Sequence, residues 1–325
     1  MNDDIQISIV IPVFNEVKNI PFLYDEIKTS LNDKYDNHEI IFVNDGSNDG
    51  SLEKLRELSK KDSFVKVINF RKNFGQSAAI SAGFEYSQGE IVVTLDADLQ
   101  NDPADIPMII DKVREGYDIV NGWRKNRKDK FLSKKLPSFF GNKLVSFITG
   151  VKLHDYGCTL RGFKKDVVKN LKLYGEMHRY IPAIASRIGI KSIEVPVNHR
   201  KRMFGKSKYG LGRTFRVILD LISIKYLLSF SYRPLQIFGS LGLIMMGTGF
   251  LSGLYISYEK YFNGASANRP LLTFTVLLLF LGFQIITLGL LAEMLTRVYH
   301  EGLNKNVYTI RDTMGFNDED IDDRP

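Results

Sequence analysis

The chain has 325 residues, 44% of them hydrophobic and 25% charged, with a net charge of +7. That length fits one large domain or two ordinary ones around a packed core. The lone cysteine, Cys158, excludes an intrachain disulfide and agrees with a reducing compartment. The positive charge does not signal nucleic acid, because no helix-turn-helix, zinc-finger or RNP pattern accompanies it. Met1-Asn2-Asp3-Asp4 shows no cationic lead into an apolar core, so no signal peptide is expected. From residue 5 to about 125, short apolar runs alternate with helical patterns. Ile7–Val13 is predicted as a strand, Glu16–Asn32 as a helix, Glu39–Val43 as a strand and Ser51–Ser59 as a helix. Val65–Asn69, Ile91–Leu95 and Asp118–Val120 read as further strands, with helices over Gly75–Ser87 and Pro107–Glu115. The β-α-β-α order predicts an α/β domain with a Rossmann-like, mostly parallel sheet covered by helices. Ligands of such sheets bind beyond the carboxyl ends of the strands.

Arg124–Lys135 holds seven Lys/Arg against one acid, Asp129, and reads as a mobile basic loop. Lys143–Thr149, Val167–Leu171 and Ile181–Ile188 have helical patterns, while Cys158–Phe163 reads as extended and Ile193–Val197 as a strand. Leu211–Tyr232 is amphipathic, either a helix lying in the membrane interface or a core helix; its position before an apolar run favours the interface. Leu235–Tyr258 and Leu271–Ala292 contain 24 and 22 residues without a charge, each long enough to cross a membrane. The short linker Glu259–Pro270 makes them a hairpin. The basic residues ahead of the first span, Arg200 to Arg233, are expected to place both termini and the N-terminal domain in the cytoplasm of an integral inner-membrane protein. Gly249, Gly253 and Ser257 have small-xxx-small spacing, which permits close helix contact and suggests a homo-oligomer. The expected organisation is a domain over 1–210, the amphipathic helix over 211–232, a transmembrane hairpin over 233–298, and a C-terminal segment over 299–325 whose end, Asn317–Pro325, is acidic and disordered.

The polar residues that carry chemistry cluster at predicted strand ends. Asp96-Ala97-Asp98 follows the fourth strand, and strand alternation would set both carboxylates on one side. They either cap a solvated turn or hold a hard cation such as Mg²⁺ or Mn²⁺, which takes few protein ligands and completes its shell with phosphates. Ile11-Pro12-Val13-Phe14-Asn15-Glu16 ends the first strand and Val43-Asn44-Asp45-Gly46-Ser47 the second. Either segment alone reads as an ordinary turn or helix start. All three in order at successive strand ends do not. The basic stretch Arg200–Lys208 suits a diphosphate or anionic lipid. His154, His178 and His199 have no metal-ligand spacing.

This set resembles the GT-A glycosyltransferases of family 2. The further segments Arg71-Lys72-Asn73-Phe74-Gly75-Gln76, Asp155-Tyr156-Gly157-Cys158-Thr159-Leu160-Arg161-Gly162-Phe163 and His199-Arg200-Lys201-Arg202 with Gly205-Lys206-Ser207-Lys208-Tyr209 are similar to those of polyprenyl-phosphate glycosyltransferases. That group includes dolichol-phosphate mannose synthases and bacterial undecaprenyl-phosphate glucosyltransferases; the C-terminal two-span hairpin is typical of its bacterial branch. The Gln-x-x-Arg-Trp motif of processive synthases is absent. The resemblance implies that Pro12, Val13, Asn15, Glu16, Asp45, Gly46, Ser47, Asn73, Gln76, Asp96, Ala97, Asp98, Arg200 and Lys206 bind a nucleotide-sugar, with Asp45 accepting from the base. It implies a metal on Asp96, Asp98 and Gln100, Mg²⁺ or Mn²⁺, that neutralises the leaving diphosphate. Arg124, Lys135 and Ser138 match acceptor-phosphate positions, although Lys135 stands where the family often has Arg. Asp98 would orient or deprotonate the acceptor, and Asp155 is either a catalytic acid of the acceptor loop or a turn cap. The expected reaction is inverting, metal-dependent transfer of one hexose, glucose from UDP-glucose, to undecaprenyl or another polyprenyl phosphate. The alternatives are UDP-formyl-aminoarabinose or GDP-mannose as donor, or a non-catalytic lipid-binding or translocating membrane protein.

Overall fold

The computed structural model describes residues 5–31, 35, 37–125, 145–146, 150–171, 173, 175–186, 189–203, 234–264, 269–302 and 309–316. The chain divides into two compact units, Met1–Leu221 with Asn306–Pro325, and Ile222–Lys305.

The first unit is built on one sheet. Its strands are β1 (Ile7–Val13), β2 (His38–Asn44), β3 (Val65–Phe70), β4 (Ile91–Thr94), β5 (Ile119–Trp123), β6 (Arg161–Lys164), β7 (Ser192–Pro196) and β8 (Ile310–Met314). They lie in the order β7-β5-β6-β4-β1-β2-β3-β8. β1 pairs in parallel with β2 and β4, β2 with β3, and β5 with β7; the pairs β4–β6, β5–β6 and β3–β8 are antiparallel. The sheet is thus mixed. β6 is inserted between β4 and β5, and β5 still points the same way as β4. The carboxyl ends of β1 to β5 and of β7 therefore share one edge, where β6 and β8 begin.

The central strands read as continuous apolar runs because both faces are covered. Helices α1 (Ile20–Leu31), α2 (Ser51–Lys61), α3 (Gln76–Tyr86) and α4 (Ile106–Arg114) provide the cover. α1 buries Ile20, Leu23, Ile27 and Leu31, and α4 buries Ile106, Ile109, Ile110 and Val113, the spacing of one helical face. α1 starts four residues later than Glu16, because Asn15 takes φ +58° and Glu16 O instead accepts from the Asn19 and Ile20 N–H groups. α3 uses small residues to lie close on the sheet: a Cβ on Gly83 would come within 2.1 Å of Val10 Cγ1. That seats the start of α3 against the carboxyl edge.

In the second unit, Pro234–Phe262 and Arg269–Gly302 are helices of 29 and 34 residues, about 44 and 51 Å at 1.5 Å per residue. Both are long and apolar enough to cross a membrane. They pack on each other closely where glycine allows it. A Cβ on Gly242 would meet Gly282 O at 2.6 Å, and one on Gly249 would meet Leu279 Cγ at 3.0 Å. Gly253 faces Thr275 of the second helix as well. The small-residue face thus serves contact within one chain, and homo-oligomerisation draws no support from it.

Candidate active site

β1 and β4 separate at the point where the site begins. Strand alternation turns Val10 and Pro12 toward β4. Val10 O accepts from Leu95 N–H at 3.1 Å. Pro12 has no N–H to offer next, so the ladder stops and the chain after Leu95 leaves the sheet. Asp96 and Asp98 therefore lie beyond the strand rather than on its pleat. The turn that holds them bends sharply, with Leu99 at φ +59°, a conformation that an L side chain adopts only under constraint.

The two carboxylates repel across this turn. Burial, and then the Asp98 charge, push the pKa of Asp96 up to about 7, against a hydrogen bond from Thr159 and the charges of Arg124 and Arg202. Asp96 Oδ1 accepts from Gln76 Nε2 at 2.7 Å. Asp98 Oδ2 accepts from Arg202 Nη2 at 2.6 Å, and its Oδ1 from the Gln100 N–H at 3.1 Å. A hard divalent cation fits this donor set, because it would relieve the repulsion that raises Asp96. Among the described residues no group of three or more His, Cys, Asp or Glu side chains could hold a metal. Such an ion would rest on few protein oxygens and take others from a ligand.

The turn after β2 is interlocked with the loops on either side. Asp45 is buried, and its carboxylate accepts from the Phe74 N–H at 2.6 Å and the Gly75 N–H at 3.0 Å. Burial raises its pKa, opposed by these two backbone bonds. Asn73 Nδ2 donates to Asp45 O at 3.2 Å. Gly46 sits at φ +68°, where a Cβ would lie 2.6 Å from Asn73 N, so only glycine fits. Ser47 Oγ accepts from the Asn15 N–H at 3.0 Å, and Asn15 Oδ1 accepts from the Asn48 N–H at 2.9 Å. Ser51 Oγ takes the Glu16 N–H at 3.0 Å. Asn15, Glu16, Asp45, Gly46, Ser47 and Asn73 thus form one continuous rim.

Across the sheet, Arg124 follows β5 and Asp155 precedes β6. Arg124 Nε and Nη2 donate to the two Asp155 oxygens at 2.7 and 2.9 Å, a bidentate pair. Burial works against the charged guanidinium, but the bonds to Asp155 overcome it and hold its pKa above the ordinary arginine value. The Gly157 N–H donates to the same carboxylate at 3.1 Å. Arg161 is buried beneath, donating to His178 O and Tyr156 O at 2.8 and 2.7 Å. Cys158 is buried, its thiol pushed up to about 11 chiefly by burial, which leaves it inert.

Arg200, expected to meet phosphate, is engaged by two carboxylates. Its guanidinium is held by Glu26, at 2.9 and 2.7 Å, and by Asp102 at 2.5 Å. Arg202, two residues on, is the cation set against Asp98. The basic run in the sequence contained both, but the acids that claim Arg200 lie on α1 and after β4, and only the fold reveals them. Lys135, Ser138 and Lys206 lie outside the described residues, as do the amphipathic segment Leu211–Tyr232 and the tail Asn317–Pro325.

A family model described as "Glycosyl transferase family 2" matches residues 8–172. A dodecaprenyl-phosphate galacturonate synthase of Rhizobium johnstonii is 41% identical over 322 residues, covering 95% of this chain and 94% of the relative. An undecaprenyl-phosphate 4-deoxy-4-formamido-L-arabinose transferase of Aeromonas hydrophila is 35% identical over 302 residues, covering 92% and 91%. Among solved structures, glucosyl-3-phosphoglycerate synthase from Mycobacterium tuberculosis, in complex with Mn²⁺, UDP and phosphoglyceric acid, aligns with a TM-score of 0.52 at 17% identity, covering 69% of this chain and 78% of that one. Mannosyl-3-phosphoglycerate synthase from Rubrobacter xylanophilus aligns with a TM-score of 0.54 at 13% identity, covering 68% and 74%. These structural likenesses establish the GT-A fold. Together with the interlocked rim and the paired aspartates, the family match and the near full-length relatives lead to one conclusion: this chain is an enzyme of glycosyl transferase family 2.

Proposed function

We propose that the protein transfers one sugar from a UDP-sugar to a polyprenyl phosphate, with inversion, at the cytoplasmic face of the membrane. One observation carries this reading. The repelling pair Asp96/Asp98 stands between the Asp45–Ser47 rim and the cations Arg124 and Arg202. The rim suits a nucleoside, the aspartates a divalent ion, and the arginines phosphate groups.

Asp96, Asp98 and Gln100 would hold Mg²⁺ or Mn²⁺. A bound ion supplies Lewis-acid neutralisation of the leaving diphosphate. Arg202, already beside Asp98, would neutralise the same charge, the part first assigned to Arg200. Asp45, with its carboxylate engaged by Phe74 and Gly75, would shape the base pocket and accept from the base on its remaining lone pairs. Arg124 would bind the acceptor phosphate through donors that Asp155 does not use. Asp155 would then orient Arg124 rather than act as a base. A phosphate monoester has a second pKa of about 6 and is largely ionised at neutral pH, so it attacks with little help from a general base. Positioning and leaving-group stabilisation then supply most of the rate.

The donor read as glucose from sequence becomes one of three candidates, with galacturonate and 4-deoxy-4-formamido-arabinose, the sugars named in the relatives; a uronate stands first because its relative is 41% identical. The test is a purified preparation in detergent with polyprenyl phosphate, Mg²⁺ or Mn²⁺, and radiolabelled UDP-sugars of all three kinds plus GDP-mannose. Lipid-linked product from one UDP-sugar is expected; product from none would sink the reading.

A further inference from the structure

After the second apolar helix the chain returns as β8, the edge strand paired with β3. Asp312 of β8 accepts from Asn69 Nδ2 on Oδ1 at 2.5 Å and from Arg56 Nη2 on Oδ2 at 2.9 Å. Asn69 Oδ1 accepts from Asn44 Nδ2 at 2.9 Å. Asn44 Oδ1 accepts from the Ser47 N–H at 3.3 Å, and Ser47 Oγ accepts from the Asn15 N–H at 3.0 Å. Asn44 and Asn69 are 1% and 2% exposed, so water does not substitute for these partners.

The direction of this relay is set at both ends, by the Ser47 N–H, which only donates, and by Asp312. An ionised carboxylate only accepts. Asp312 therefore obliges Asn69 to turn its NH₂ outward and its oxygen toward Asn44. Asn44 must then give its NH₂ to Asn69 and its oxygen to the Ser47 N–H. Without the carboxylate Asn69 loses the partner that holds its NH₂ outward. An inverted Asn69 would set its NH₂ against that of Asn44, donor to donor, and push Asn44 off the Ser47 N–H. β8 adds a second link, since the Arg71 N–H donates to Thr309 O at 3.2 Å. The loop that begins at Arg71 supplies the Phe74 and Gly75 N–H groups on Asp45.

We propose that Asp312 is a positioning residue for the donor, fixing the Asp45–Ser47 turn through Asn69 and Asn44. The proposal rests on the reading that this turn binds the nucleotide. It is tested by calorimetric titration of the full-length protein in detergent with UDP and Mn²⁺. Asp312→Ala is expected to weaken UDP binding about tenfold, the size of one oriented buried hydrogen bond. It raises the donor KM and leaves the acceptor KM unchanged. Asp312→Asn, whose side-chain oxygen still accepts from Asn69, restores most of the affinity. The double variant Asp312→Ala with Asn44→Ala binds no worse than either single, because both break one relay. Should Asp312→Ala fail to fold, Asn69→Ser breaks the relay one link nearer with the same expectation. Wild-type affinity in Asp312→Ala, or losses that add in the double variant, would overturn the proposal. Absence of UDP binding by the wild type would instead refute the nucleotide reading, and the relay with it.

Discussion

Metal binding should compete with a proton at the Asp96/Asp98 pair. In the metal-free protein Asp96 retains its proton up to a pKa of about 7, because burial, and then the Asp98 charge, oppose its ionisation. A divalent ion must displace that proton. The apparent affinity then scales as 1/(1 + 10^(7 − pH)), which makes Mn²⁺ binding about tenfold weaker at pH 6 than at pH 8. Stability follows with a definite sign. A carboxyl whose folded pKa is raised penalises the folded state once it ionises, so metal-free protein loses stability as pH rises from about 4 through 7. Mn²⁺ removes that penalty and raises Tm more at pH 8 than at pH 6. The assay is Mn²⁺ titration by electron paramagnetic resonance, with parallel thermal melts from pH 5.5 to 8.5. An affinity that stays flat down to pH 5.5 would refute the reasoning, since it would mean that Asp96 is already ionised.

Other substitutions separate the roles assigned above. Arg202→Ala should lower kcat by one to two orders of magnitude by removing a charged contact to the diphosphate, roughly 1.5–3 kcal/mol. Arg200→Ala should cost about 1 kcal/mol or less of stability, because its ion pairs with Glu26 and Asp102 are partly exposed, and should leave kcat close to wild type; thermal melts and steady-state kinetics on both variants decide between them. Asp155→Ala leaves the buried Arg124 guanidinium unpaired and should destabilise the fold by about 3–5 kcal/mol. Asp155→Asn should raise the acceptor KM and leave the pH profile of kcat unshifted, whereas a base at Asp155 would lose a limb of that profile. Gly46→Ala forces a Cβ to within 2.6 Å of Asn73 N at φ +68° and should weaken UDP binding measured by calorimetry.

Much of the fold was legible because its cause is local. A strand buried on both faces needs a continuous apolar run, and β1 shows one over Ile7–Val13. A helix on that sheet needs one apolar face, and α4 shows it at Ile106, Ile109, Ile110 and Val113. The aspartate pair was legible too, although its geometry was not. Strand alternation suggested a shared pleat, while the missing N–H of Pro12 on the neighbouring strand ends the ladder before Asp96. β8 escaped notice, and β6 was legible only as the extended segment Cys158–Phe163, because short antiparallel insertions carry no βαβ signature. Their places are set by partners more than 60 and more than 200 residues away, as in Thr94 with Arg161 and Asn69 with Asp312.

By itself the sequence determined the α/β alternation, the two apolar helices and the polar motifs at successive strand ends, since each depends on spacing within a few residues. The tertiary structure decided which of those polar groups meet. Arg200 is claimed by Glu26 and Asp102, Arg202 by Asp98, and Arg124 by Asp155. A charge can be counted in a sequence, but the partner it neutralises is whichever opposite charge the fold brings within hydrogen-bond reach.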